Sequence, residues 1–196
     1  MVEKTLSQIT LEELTEYDDQ WVEVHDGQLM EVDMSAASFA HGYISGKILS
    51  ILKTFALEHR LGFVLPDNVT YVLGIRADSV QNTRLPDVSF VRRGRITPDM
   101  DLDKPFMGAP DLAVEVTSPG QTADSLRGRV RDYLQHGSEE VWVLYIATKE
   151  VYQYTSAAPN RPTIYGEADS FGSEALFPGL TVRVADLFDL SDLYAS

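Results

Sequence analysis

Cysteine is absent from the 196-residue chain. That removes a disulfide framework, a zinc-thiolate site and a cysteine nucleophile together, and it suits a reducing compartment. No apolar run approaches the roughly 20 residues that a membrane-spanning helix needs, and the opening stretch MVEKTLSQIT lacks the apolar centre of a secretory signal. These absences predict a soluble, cytoplasmic protein with no membrane partner. Positive charge is the third shortage, since 16 Lys and Arg face 30 Asp and Glu for a formal net charge of −14. Such a field repels a polyanion at long range, so any nucleic-acid contact must come from local basic clusters. Two clusters exist, Arg92, Arg93 and Arg95 after one predicted strand and Arg127, Arg129 and Arg131 in a predicted helix. The plain reading of both is solvated surface.

What is present suffices for a core. A hydrophobic share of 44% with 10% aromatics suits one domain spanning 1–196, and no repeat, low-complexity segment or shift in composition marks a second.

Thr10 followed by Glu13 has the form of a capping box and predicts a short helix to about Tyr17. Residues 21–33 read as a hairpin about Asp26-Gly27, a pair that tolerates positive φ in a tight turn. Over 37–59 the apolar residues Ile44, Ile48, Ile51, Leu52 and Phe55 recur at helical spacing, and His41 shares their inward face. Residues 62–65, 69–75 and 85–91 read as strands, 76–84 as a polar loop, and 97–110, with its prolines, as a connection. Residues 111–117 predict a strand covered on both faces, ended by Ser118-Pro119-Gly120. A helix over about 122–135 buries Leu126, Val130, Tyr133 and Leu134 and stops at His136-Gly137. Residues 140–146 and 150–154 form a hairpin about Thr148-Lys149, 155–173 is an excursion, and 176–187 hold a last strand and a short helix.

Two acids stand out. Glu115 sits among Leu112, Ala113, Val114 and Val116, where an unpaired charge is too costly to bury, and Asp87 opens the strand over 85–91. If these strands pair, the two carboxylates meet at one point of the sheet as hard oxygen ligands suited to Mg²⁺. Such an ion polarises a phosphoryl oxygen and supplies hydroxide to attack it. Asp111 also opens a strand, but along an extended chain it stands roughly 13 Å from Glu115, too far to share an ion. Strand-end acids also serve as caps and turn residues, and spacing alone leaves both readings open.

The succession PDVSFV around Asp87, PDLAVEVTSP around Glu115, a helix ending in Tyr133 and His136-Gly137, then EEVWVLY, resembles the Uma2 family of the PD-(D/E)XK nuclease superfamily. The similarity runs from the Asp26-Gly27 hairpin to the strand holding Tyr152. It implies an α/β fold of the restriction-endonuclease type, with a central mixed, twisted sheet flanked by helices. It also implies hydrolysis of DNA phosphodiester bonds with Mg²⁺, or Mn²⁺ in its place, bound by Asp87 and Glu115. Cutting two strands suggests a homodimer. The superfamily's lysine position is Thr117 here, and in the resembling family the lysine moves to the next helix, four residues before the tyrosine, which is Arg129. Arginine stays protonated and can stabilise charge but cannot act as a base. His41, matched to a histidine after the hairpin, is the candidate base or the holder of a metal-bound water. Glu31 is a candidate further acid, against its reading as a solvated strand residue. Thr117, Arg129 and the net charge keep an alternative open, a weak or inactive nuclease fold serving as a binding or assembly module. A metal-free hydrolase using two acids is another.

Overall fold

The computed structural model describes residues 9–17, 21–31, 38–118 and 121–194. Helix α1 (Leu11–Thr15) precedes the hairpin β1 (Val22–His25) and β2 (Gln28–Glu31), then helix α2 (Phe39–Glu58). Strands β3 (Gly62–Pro66), β4 (Tyr71–Arg76), β5 (Ser79–Arg84), β6 (Val88–Arg92), β7 (Phe106–Met107) and β8 (Leu112–Val116) follow, then helix α3 (Ala123–Gln135). Strands β9 (Glu140–Tyr145), β10 (Glu150–Thr155), β11 (Ala158–Tyr165), β12 (Ser170–Phe171) and β13 (Val182–Arg183) lead to helix α4 (Val184–Phe188).

A mixed sheet in the order β11-β10-β9-β8-β6-β3 forms the centre. β8 and β9 run parallel, joined by α3, while the other neighbours in this sheet are antiparallel. Alternation along β8 assigns the two faces. Leu112, Val114 and Val116 join Ile44, Ile48 and Leu52 of α2 in the larger core, which also holds Val88, Phe90, Trp142 and Leu144. Ala113, between them, points the other way and packs with Leu126, Val130 and Tyr133 of α3. All five residues of β8 are buried, as a strand covered on both faces requires. Side-chain caps start both helices, Ser38 accepting from the His41 amide and Thr122 from that of Ser125. The capping box of α1 is present. No described helix is long and apolar enough to cross a membrane.

A smaller sheet, β5-β4-β7, lies beside the first. It corrects the reading of 76–84 as a loop, because Ser79–Arg84 is a strand turning from β4 through Ala77 and Asp78, both at positive φ. Its polar composition has a physical cause. Thr83 Oγ1 accepts from the Val24 amide, Asn82 Oδ1 from that of Asp26, and the Gln81 carbonyl from that of Gly27, so the polar residues anchor the β1–β2 hairpin. The excursion over 155–173 is corrected likewise, since β11 adds the edge strand of the main sheet and β12 pairs with β13. Within the connection over 97–110, β7 pairs with β4. The hairpin's predicted end at 32–33, the helix start at 37 and the Pro119-Gly120 turn lie outside the described residues.

Gly62 marks a close approach between strands. A Cβ there would fall 2.2 Å from the Val91 carbonyl oxygen and 2.7 Å from the Phe90 ring. Gly62→Ala therefore has to push β3 off β6 and is expected to cost about 1–3 kcal/mol. A lowered urea midpoint would show this, and an unchanged midpoint would refute the close packing.

Candidate active site

Val88 pairs with Val114 across the β6–β8 ladder. Asp87, one residue earlier, thus lies opposite Glu115, and the strand pairing on which a shared site depends is present. Asp87 Oδ2 accepts from the Val116 amide at 2.6 Å. Its Oδ1 lies 3.3 Å from His41 Nε2, and the Asp87 side chain is 21% exposed. The first turn of α2 brings His41 to this point, inward-facing as its spacing predicts. The hydrogen bond with Asp87 raises the His41 pKa against the opposing effect of burial.

Glu115 points to the α3 face at a position where Ala113 shows that apolar packing is the rule, and it is only 4% exposed. Two groups from α3 make this tolerable. Tyr133 donates its hydroxyl to Oε1 at 2.7 Å, and Arg129 Nε lies 2.9 Å from the same oxygen. That second contact is one of charge, since Arg129 Nε–H has no aligned acceptor. Burial raises the Glu115 pKa to about 7, with Asp87 and Glu23 adding to the rise and Arg129 and Tyr133 opposing it.

Glu23, on β1, completes the arrangement. Arg129 Nη1 donates to both of its oxygens, at 2.8 and 3.0 Å, while Arg129 Nη2 donates to the Leu85 carbonyl at 2.7 Å. Burial opposes the charge on Glu23, but Arg129, His25, Arg84 and the Leu85 amide together outweigh it and lower its pKa to about 2. Arg84 stands 3.5 Å from Glu23 and also bonds Asp132. Arg129 itself is held protonated, its pKa pushed further up by the carboxylates despite burial.

Of the two readings of Glu31, the solvated strand residue holds, since Glu31 is exposed on β2, and it is Glu23 that reaches the site. Strand alternation next to buried Val22 and Val24 argues that Glu23 should face water. β1 is covered on both faces, however: Val22 and Val24 pack with Val72 and Val80, and Glu23 meets Arg129 of α3. Tyr133 reads from sequence as a core residue and a landmark of the resemblance, with no role at the site; its hydroxyl at the helix end beside a strand acid is the available clue. Asp111 is buried at the far end of β8 and accepts from the Arg92 amide at 2.8 Å and from Arg95 at 3.2 Å. It is a strand-start anchor, and Arg92 and Arg95 are tied down by it. Thr117 continues the β8–β9 pairing through the Leu144 carbonyl.

In ligand chemistry the pair suits Mg²⁺: Asp87 and Glu115 offer hard oxygens from facing positions, and each carboxylate, although it already meets two groups (the Val116 amide and His41 at Asp87, Tyr133 and Arg129 at Glu115), has lone pairs beyond those two. Among the described residues no three His, Asp or Glu gather closely enough to enclose an ion. Mg²⁺ suits such a sparse set because it keeps several waters.

His41 carries a pH-dependent share of stability. Its folded pKa is raised, so the contribution of the His41–Asp87 pair is full below the ordinary value of about 6.5 and is lost as pH rises through the raised value. The gap in stability between the parent and His41→Gln should be about 1 kcal/mol at pH 6 and narrower at pH 9. An equal gap at both would show that the ring is neutral throughout.

A family model described as "Putative restriction endonuclease", Uma2, matches residues 9–185. The fold is similar to that in the crystal structure of a "putative nuclease belonging to DUF820" from Anabaena variabilis ATCC 29413. The two are 19% identical, the match covers 92% of this chain and 97% of that one, and the TM-score is 0.74. At that identity the likeness speaks for a shared fold. No curated protein matches.

Proposed function

The chain belongs to the Uma2 family, described as putative restriction endonucleases, and from that membership we propose that it hydrolyses DNA phosphodiester bonds in a Mg²⁺-dependent reaction. The observation that carries this reading is the placement of Asp87 opposite Glu115 with a protonated arginine directly behind the second acid. In this reading Asp87 and Glu115 would hold the ion, which would supply Lewis acidity and make a water easier to deprotonate, and Mn²⁺ would serve in its place.

The chain's own residues prepare the site. The Val116 amide and His41 orient Asp87 from two sides. Tyr133 fixes one oxygen of Glu115, and the charge of Arg129 favours ionisation of a carboxyl that burial would keep neutral. Metal binding requires the carboxylate, so affinity falls as pH drops through the Glu115 pKa of about 7. His41, whose proton the hydrogen bond with Asp87 holds more tightly, stands beside that acid as the group that can pass a proton there. Two copies of the chain would serve to cut two strands.

One observation favours a second reading, in which the nuclease fold is kept as a weak or inactive binding or assembly module. Both Arg129 amino groups already donate within the protein, to Glu23, Leu85 and Tyr133. Supercoiled plasmid separates the two. Nicking that needs Mg²⁺, stops with EDTA and returns with Mn²⁺ supports the nuclease, whereas intact plasmid together with no measurable Mn²⁺ binding supports the module.

A further inference from the structure

The ladder fixes Val88, one residue after Asp87, but Leu85 and Pro86 on the other side precede β6 and lie outside it, so the ladder does not hold Leu85. Leu85 is fixed instead by one ion pair. Its amide donates to Glu23 Oε1 at 2.9 Å, and its carbonyl accepts from Arg129 Nη2 at 2.7 Å. The same pair touches the other acid, because Arg129 Nε lies 2.9 Å from Glu115. Glu23 is 3% exposed and accepts from Arg129 with both oxygens. A planar guanidinium can face a carboxylate, a carbonyl and a second carboxylate at once, whereas an ammonium is a single point of charge.

We infer that Glu23 is a positioning residue of the site: through Arg129 and Leu85 it sets where Asp87 and Glu115 stand relative to each other. The inference rests on the metal-dependent reading above. It gives Arg129 a different part from that of the lysine in the resembling pattern, since Arg129 is a strut between two acids and a loop. An ion pair this deeply buried contributes little net stability compared with apolar packing. Its placement on the backbone of one candidate ligand and the side chain of the other is what a supporting role for a metal site requires.

Glu23→Gln keeps the shape and an acceptor for the Leu85 amide but removes the charge. Arg129, no longer shared, then turns wholly to Glu115. Mn²⁺ affinity, followed by the resonance of free Mn²⁺ in a titration, should weaken about 10–100-fold. A metal-free readout accompanies it. The Val116 amide is held by Asp87, so its hydrogen exchange should quicken at least about tenfold in the variant relative to that of Val114 on the same strand. A purely structural role would speed exchange across the whole core, leaving the Val116-to-Val114 ratio and the Mn²⁺ affinity of the folded protein unchanged, and that result overturns the inference. Should Glu23→Gln not fold, Glu23→Asp keeps the charge on a shorter arm, and parental Mn²⁺ affinity and Val116 exchange in that variant overturn it equally. A parent that binds no Mn²⁺ would defeat the metal reading by itself, and the Val116 exchange would still decide the role of Glu23.

Discussion

Arg129→Met is expected to destabilise the protein by about 3–5 kcal/mol at pH 7, the range seen when one partner of a buried ion pair is removed and the other charge is stranded. Here two carboxylates are stranded, Glu23 and Glu115, 3% and 4% exposed. Methionine roughly fills the space, so the loss is one of charge and hydrogen bonds and not of packing. The signs of the pKa shifts then predict its pH dependence. Glu23 has a depressed pKa of about 2, so in the parent its contribution is full above the ordinary carboxyl value near 4.5 and fades as pH falls towards 2. Glu115, raised to about 7, behaves oppositely, its contribution being full below 4.5 and lost as pH rises through 7. In Arg129→Met the depression of Glu23 disappears and both acids take protons more readily. The deficit against the parent should therefore shrink between pH 7 and pH 4 in urea unfolding. A deficit of the same size at both values would show that packing, not stranded charge, is responsible. Arg129→Lys should fall between the two, because one ammonium cannot serve Glu23, Leu85 and Glu115 together.

Asp87→Asn should lower plasmid nicking on the order of 10³-fold while leaving the fold in place. Asparagine keeps an oxygen for the Val116 amide, so the link between the β6 start and β8 survives. What goes is a negative charge facing Glu115. A bound metal ion supplies several kcal/mol of transition-state stabilisation, and each 1.36 kcal/mol is a factor of ten. His41 loses its counter-charge in the same variant, so its proton should leave at a lower pH than in the parent, a change that ring NMR would follow. Nicking at the parental rate would mean that the activity belongs to a contaminant or to another part of the surface.

Periodicity made the central frame legible. The alternation in β8, the helical spacing of Ile44, Ile48 and Leu52, and the Asp26-Gly27 turn each reflect one local rule, and each element stands where its rule puts it. Asp87 and Glu115 were readable because an acid inside an apolar strand and an acid at the start of another are anomalies that demand a partner. Glu23 and β5 were not readable, and for one reason. Their polar residues are buried against another layer, and a composition that pairs with polar partners across space looks, along the chain, like a composition that faces water. Arg129 shows the same limit from another side. Its place beside the apolar stripe of α3 was apparent, but the carboxylate that takes up its other end is more than a hundred positions away.

The edge of the main sheet carries a consequence for how the protein behaves at high concentration. β11 reads APNRPTIY, and it ends the sheet with Pro159, Arg161 and Pro162 in its length. Proline has no amide hydrogen to offer a neighbouring chain, and arginine resists being covered, so the row of backbone groups that would template a further strand is interrupted. Chain-to-chain growth of the sheet is blocked along this side. A second copy approaching this edge meets an interrupted row of backbone groups, so sheet growth past β11 is disfavoured by the segment whose composition looks least like a strand.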